Sequence, residues 1–420
     1  MVNILLVGSG GREAALEWKL KQSKLVDQVF TAPGNAGSIN NLPYGSEDIH
    51  RLVDFAHEHH AFTVVGPEAP LSAGLVNTME DDGLEAFGPS KEATQLESSK
   101  IYAKKFMKRQ NIPTPEFEIF DEYDLAEKYV ESRRPGVVVK ADGLASGKGV
   151  FVCSNLEETR SALRTLLIDR QLGSAGEKVI IEETLGGKEA SCFFISDGNQ
   201  VIPFSSAQDH KRIYDGDKGP NTGGMGCYSP ALLSQDVQDE VTQIANRTIS
   251  GMKHEGVPYK GFLYLGLMIA DDKPHLLEFN VRLGDPEAQA LLPRCSSDLF
   301  PYLKACVDGD LPKMEPMDWT RRHSVCVVMA SGGYPNKFDT GKKISGLTDM
   351  SVPQDVHVFH AGTKKEDDNI LTNGGRVIGV TALGDTVRAA RDVAYVSVSR
   401  ISWDGEYHRK DIASSACKEQ

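Results

Sequence analysis

The first hundred residues alternate short apolar runs with amphipathic stretches, and each run stops at glycine or proline. "NILLV" (3–7) reads as a strand and residues 12–22 as a helix. "SEDIHRLVDFAHEH" (46–59) sets Ile49, Leu52, Val53 and Ala56 on one helical face; "FTVV" (62–65) is a second strand, a helix follows from about 71, and "LEAF" (84–87) is a third strand. Strand–helix–strand order makes successive strands parallel, because a parallel neighbour is reached only by crossing back over the sheet. Ligands of such a sheet belong at the strand C-termini, which here carry "GSGGRE", "APGNAG", "GPEAPL" and "GPS".

The first of these loops is close to a dinucleotide fingerprint: Gly8 and Gly10 are present, but Glu13 stands where the third glycine belongs. The next run ends in Thr31-Ala32-Pro33, with no acid to hold a ribose hydroxyl, so NAD is disfavoured. The amides of Gly10 and Gly11 at a helix N-terminus still suit an anion such as a small phosphate-bearing substrate. A tight turn with no ligand is the competing reading. "HEHH" (57–60) lacks the spacing of a helical zinc pair and suits a solvated helix end.

From residue 116 the pattern changes to closely spaced strands, "EFEIF", "GVVVKAD", "VFVC", "KVIIEET", "ASCFFI" and "VIPFS", with helices at about 122–132 and 155–167. Hairpin-like neighbours of this kind indicate an antiparallel α+β unit. Before it, Ser98 or Ser99 caps a helix over "KIYAKKFMKRQ", which "NIPTP" breaks. "KADGLASGKGV" (140–150) resembles a phosphate loop, but it runs into a strand, not a helix, and Gly149 replaces the hydroxyl after Lys148. It reads as a flap between two strands, or as an ordinary glycine-rich hairpin. "QDHKRIYDGDKGPNTGGMG" (208–226) is too long for a turn, and loops of that length are functional or disordered. In "LLEFNVRLGDPEAQ" (276–289), an alternating strand places Glu278, Asn280 and Arg282 on one face. Two hard oxygen donors beside a guanidinium suit Mg²⁺ and a phosphoryl-transfer transition state; a solvated edge strand is the bland alternative. Residues 323–412 form a β-rich tail containing "HAGT" and "NGGRVIGVTALG".

A chain of 420 residues accommodates two to four structural units. Its net charge of −13 argues against a general nucleic-acid or membrane-surface role. No apolar run reaches the ~20 residues of a membrane span, and the start lacks the basic segment of a signal peptide. The seven cysteines form no C-x-x-C pair, which points to free thiols in the cytoplasm.

Taken in chain order, "KADGLASGKGV", "IIEETLGGKEAS", "QDHKR", "GPNTGGMG" and "LEFNVRLGDPE" closely resemble the glycinamide ribonucleotide synthetase family, ATP-grasp enzymes of purine biosynthesis. The resemblance runs from "GSGGRE" to "YHRKDI". It implies an α/β and α+β multidomain chain: an N-terminal parallel-sheet, Rossmann-like substrate domain (1–102), an ATP-grasp domain of two α+β subdomains (103–297, the mobile smaller one at about 116–192), a helical linker (298–322) and a small β-rich C-terminal domain (323–420). The implied reaction joins glycine to 5-phosphoribosylamine with ATP, through glycyl phosphate, giving glycinamide ribonucleotide, ADP and phosphate. Segments 140–150 and 208–226 are expected to close over the acyl phosphate.

By the same resemblance Lys104 and Lys140 contact ATP phosphates while Gly147, Lys148 and Gly149 close over them. Glu182, Glu183 and Leu185 hold adenine, and Glu189 the ribose. Glu278 and Asn280 hold Mg²⁺ (or Mn²⁺), and Arg282, Asn280 and Asp285 act at the reacting centre. Gly10, Gly11, Asn35, Glu68, Lys211, Asn221, Thr222 and Gly223 bind the substrates. Val281 and Leu283 stand where many members have Cys and Phe, and "LYLGLMI" lacks the second acidic metal ligand of many ATP-grasp relatives. Expected partners are glycine, 5-phosphoribosylamine and transient contacts with other purine-pathway enzymes, with no nucleic acid and no membrane. A related ligase such as an aminoimidazole ribonucleotide carboxylase is disfavoured by "GPNTGGMG" together with "RLGDPE".

Overall fold

A computed structural model describes residues 1–133, 136–143, 149–347 and 354–419. The first strand, β1 (Val2–Gly8), is flanked by β2 (Val26–Pro33) and β3 (Ala61–Val65), with β4 (Ala86–Phe87) outermost. All pairings are parallel, with Val7 beside Ala32 and Val65. Alternation sends Ile4 and Leu6 to one face, against Leu16, Leu20 and Phe62, and Leu5 and Val7 to the other, against Leu52 and Leu71. Both faces are covered, which is why these strands read as unbroken apolar runs.

Among the described residues a second, antiparallel sheet has the order β5-β8-β6-β7: β5 (Phe117–Phe120), β6 (Val137–Ala141), β7 (Val150–Cys153) and β8 (Val179–Glu183). Helices Tyr123–Glu131 and Leu156–Leu163 cover it, closing a core of Ala126, Val139, Leu163, Leu166 and Ile181. Asn155 caps the second helix by accepting the Glu158 amide at 2.9 Å. That helix loosens into a π-turn at Arg164–Ile168.

The remaining strands are β9 (Lys188–Asp197), β10 (Val201–Asp209), β11 (Arg212–Tyr214), β12 (Lys218–Asn221), β13 (Gly226–Ser229), β14 (Lys260–Ala270), β15 (Lys273–Asn280), β16 (His323–Ser331), β17 (Val356–His360), β18 (Thr363–Glu366), β19 (Asn369–Thr372), β20 (Arg376–Gly384) and β21 (Glu406–Tyr407). Among the described residues, nine of them make one sheet in the order β15-β14-β9-β10-β13-β16-β20-β17, with β21 on β16. The joint is β13. It meets β10 at Gln208–Tyr228 and Asp209–Cys227, and β16 from Gly226–Val327 to Ser229–Ser324. The β-rich tail thus continues the central sheet through backbone hydrogen bonds.

One alternative left open by the sequence is resolved, and two details differ from it. Ser99, not Ser98, caps helix Lys100–Arg109, accepting the Tyr102 amide at 3.1 Å. Strand β15 stops at Asn280, so Arg282 lies in the bend beyond the strand and is not its next alternating residue. Residues 208–226 are not a long open loop: they fold back as the β11–β12 hairpin, with Arg212 opposite Asn221.

Candidate functional site

Two buried lysines share one carboxylate where the four-stranded sheet meets the long one. Glu182, at the end of β8, lies 3.1 Å from Lys104 Nζ and 2.8 Å from Lys140 Nζ. Lys104 comes from helix Lys100–Arg109, and Lys140 from β6. The Lys104 ammonium also donates to Thr114 Oγ1 (2.6 Å), whose hydroxyl donates to the Leu276 carbonyl (2.7 Å). Lys140 reaches the Leu277 carbonyl at 3.4 Å. Burial brings the Lys104 pKa down to about 8, with Glu182 opposing it. Sequence reading gave Glu182 to adenine; in the structure it is 2% exposed and holds the two lysines. Glu183 is exposed and accepts the Glu116 amide at 2.9 Å, and Leu185 is half-buried.

A third lysine completes the cationic wall. Lys211 lies 3.2 Å from Glu189 and 3.7 Å from Glu278. Glu189 holds its pKa well above the ordinary lysine range despite burial, and Glu278 adds to this. Burial pushes the Glu278 carboxyl up, but Lys211, Lys140 and Lys100 outweigh it and keep the group ionised. Asn280 Oδ1 accepts from Arg282 Nη2 at 3.0 Å, so the pair stays together although Arg282 has left the strand. Glu278 and Asn280 offer the hard oxygens that Mg²⁺ or Mn²⁺ prefers. Among the described residues no cluster of three or more His, Cys, Asp or Glu could form a metal cage.

Arg282 is fixed by acids from the N-terminal third: Nη2 donates to Glu97 Oε1 at 2.6 Å and Nε to Glu68 Oε2 at 3.2 Å. Glu97 also accepts the Val281 amide at 2.7 Å, and burial raises its pKa to about 6 against the pull of Arg282. Glu68, expected to bind substrate, is here an ion partner of Arg282. Val281 and Leu283 face the apolar side, both 1% exposed.

The N-terminal helix end is already occupied by the protein's own acids. Glu13 accepts the Gly10 amide at 2.6 Å, and Asp285 accepts the Arg12 amide at 3.3 Å. A Cβ at Gly11 would lie 2.2 Å from Gln289 Nε2, so a side chain there would displace that amide. Asn35 spends its amide hydrogens on the carbonyls of Ser9 (3.0 Å) and His360 (2.9 Å), tying the first sheet to β17. Beside these groups a cleft of about 220 Å³ opens between Ser9, Gly10, Gly34, Asp285, Gly362, Thr363, Asn373 and Arg376. Arg376 donates to the Gly223 carbonyl at 2.7 Å and to the Asp285 carbonyl. Burial raises the Asp285 pKa, but Arg376 and Arg12 bring it below the usual carboxylate range.

Ion pairs and hydrogen bonds thus link Lys104, Lys140 and Glu182, then Lys211, Glu189 and Glu278, then Asn280 and Arg282, while Asp285 lines the cleft. Thr222 accepts nothing from these groups, but its amide and hydroxyl both donate to the Lys211 carbonyl at 2.8 Å. Asn221 ends β12, and the Gly223 amide donates to Tyr334 Oη at 3.1 Å. Gly149 is buried where β7 begins; Gly147 and Lys148 lie outside the described residues. Sequence reading missed Glu97 and Arg376. The glycine pair before Arg376 in "NGGR" was the available signal for the latter; nothing local distinguishes Glu97 from a surface helix residue.

Comparison with known proteins gives three matches to one family. Residues 2–97 match the phosphoribosylglycinamide synthetase N domain, 98–288 its ATP-grasp (A) domain and 324–415 its C domain. A phosphoribosylamine–glycine ligase of Allochromatium vinosum is 48% identical over 424 residues, covering 99% of both chains. The crystal structure of phosphoribosylamine–glycine ligase from Thermotoga maritima superposes with a TM-score of 0.87 at 35% identity, covering 98% of this chain and 100% of that one. A biotin carboxylase domain of Hydrogenobacter thermophilus 2-oxoglutarate carboxylase, with MgADP, ADP and bicarbonate, shares the fold at a TM-score of 0.75 and 16% identity, covering 96% of this chain and 91% of that one.

Proposed function

The chain belongs to the phosphoribosylglycinamide synthetase family, and we infer that its cleft carries out that family's reaction: ATP-dependent ligation of glycine to 5-phosphoribosylamine in purine biosynthesis. A carboxylate is a poor electrophile. Transfer of the ATP γ-phosphoryl to glycine makes glycyl phosphate and ADP; attack by the phosphoribosylamine nitrogen then expels phosphate and loses a proton. The observation that carries the reading is the linkage of these groups. Glu278 lies beside Lys211 and in the field of Lys140, Asn280 accepts from Arg282, and Asp285, three residues on, lines the cleft. Positioning and charge neutralisation are the protein's contribution to such a transfer.

In this reading Lys104 and Lys140 release Glu182 to take ATP phosphates, and Gly147, Lys148 and Gly149 close over them. Glu182, Glu183 and Leu185 edge the adenine, and Glu189 the ribose. Glu278 and Asn280 hold Mg²⁺ or Mn²⁺, which when bound neutralises phosphate charge. Arg282 and Asp285 face the reacting groups. Lys211, with Asn221, Thr222 and Gly223, orients glycine. The cleft beside Gly10, Gly11, Asn35 and Glu68 takes the phosphoribosyl group, to which Arg376 and Thr363 add donors. The division 1–102, 103–297 with a mobile 116–192, 298–322 and 323–420 belongs to the same proposal, as do a cytoplasmic setting and transient contacts with other purine-pathway enzymes.

The test is product analysis. ADP formation is expected to need glycine and phosphoribosylamine together, and ¹⁸O from the glycine carboxylate is expected in the phosphate. AMP and pyrophosphate as products would overturn the reading.

A further inference from the structure

We propose that Arg409 is a positioning residue for Lys211: the segment 409–413 fixes the hairpin that presents this lysine between Glu189 and Glu278. The inference rests on the reading of the cleft given above. The β11–β12 hairpin pairs with no other strand among the described residues, and a two-stranded ribbon alone is marginal in water. Its geometry is imposed from outside. Arg409 is 1% exposed and grips Asp411 with two bonds, Nε to Oδ1 at 2.7 Å and Nη2 to Oδ2 at 2.8 Å. Its remaining arm, Nη1, donates to Asp217 Oδ1 at 2.8 Å and to the Arg212 carbonyl at 3.0 Å. A planar fork can hold both ends of the hairpin at once, which a lysine cannot.

Neighbouring groups repeat the contact. Asp411 accepts the Gly216 amide and Asp215 the Lys410 amide, each at 2.8 Å. The Ala413 amide donates to His210 Nε2 at 3.2 Å, which leaves the imidazole proton on Nδ1, 3.2 Å from the Gly226 carbonyl. Lys211 therefore has a clamped residue on each side, His210 before it and Arg212 after it. Its ammonium meets Glu189 and Glu278 through a flexible four-carbon stem, so it keeps both contacts only while the backbone holds its Cα within reach of them. A displacement near 1 Å at a reacting centre costs on the order of 10²-fold. The clamp thus converts burial of an arginine far along the chain into the position of a cation between Glu189 and Glu278.

The test is a double-mutant cycle on kcat/KM for glycine, measured as ADP formation by the full chain, with Arg409→Gln, Asp217→Asn and Lys211→Met and with melting curves to establish folding. Arg409→Gln is expected to lower kcat/KM by roughly 10- to 100-fold, and Asp217→Asn by a smaller factor. Combined with Lys211→Met, each is expected to add almost nothing, because the residue it positions is gone. Should Arg409→Gln fail to fold, the cycle with Asp217→Asn decides alone. An impaired Lys211→Met whose effect multiplies in full with the second change overturns this proposal and leaves the reading of the cleft intact. Lys211→Met at the wild-type rate overturns the role of Lys211 in the cleft, and the proposal with it.

Discussion

The sheet of β5–β8 and the long sheet from β9 to β21 meet at the lysine cluster, yet they are attached to the molecule in different ways. The first closes its own core around Val139 and Ile181. It is linked to its surroundings by polar contacts: Glu182 to Lys104, Lys140 to the Leu277 carbonyl, and Ser99 Oγ to Asp142 at 3.0 Å. The second runs without a break from β15 to β17, and a backbone ladder joins its central and C-terminal parts. Polar links can be exchanged for a nucleotide's phosphates at little cost. A ladder of backbone bonds and buried side chains cannot. The contrast separates a unit tied to its surroundings through polar side chains from one joined to them through its backbone.

The strongest way to break the contrast is to cut the long sheet. A chain ending at residue 322 loses β16, β17, β20 and β21 and bares both β13 and the buried residues around Tyr228 and Met225. It is expected to aggregate or remain unfolded; a soluble fragment with a cooperative melting transition would show that the two parts are separable after all. Next in size is Glu182→Gln, which leaves two buried ammonium groups without their anion. Breaking a buried pair in this way costs about 3–5 kcal/mol, read by denaturant unfolding, and saturating ATP is expected to restore part of the loss. Glu278→Ala belongs to the long sheet. It is expected to lower turnover by roughly 10²-fold or more with the melting temperature nearly unchanged, and near-normal turnover at saturating Mg²⁺ would remove Glu278 from the site. The smallest effect is Ser99→Ala, which deletes both a helix cap and a tie to Asp142. A loss of about 1 kcal/mol is expected, with faster amide exchange confined to β5–β8; exchange quickened equally in β13 and β16 would contradict the separation.

The sequence revealed what depends on neighbours along the chain. Ile4–Val7 and Phe62–Val65 are legible as buried strands because covered parallel sheets need unbroken apolar runs. Glu278 and Asn280 are legible because alternation sets them on one side. Partnerships across long separations were not legible. Glu97 lies 185 residues from Arg282, and Asp217 lies 192 from Arg409. Each acid looks like a solvated surface residue until the fold delivers its arginine. The hairpin within 208–226 was missed for the same reason: its sequence is polar and glycine-rich, and its order is supplied by Arg409 and Asp411. At the first helix, the fingerprint glycines suggested an open anion site, but Glu13 fills the space over Gly8 and Gly66 and takes the Gly10 amide.

The joint at β13 also sets a timetable. During synthesis the outer edge of β13 has no partner until β16, about a hundred residues later, leaves the ribosome. An unpaired edge is a hazard for association with other nascent chains. The ledge carrying Lys211 waits longer still, until Arg409 and Asp411 have emerged to clamp it. The N-terminal sheet and the β5–β8 unit can fold as they appear, whereas the hairpin carrying Lys211 is fixed only once residues 409–413 have emerged. An incomplete chain is therefore expected to hold folded parts long before it can ligate anything.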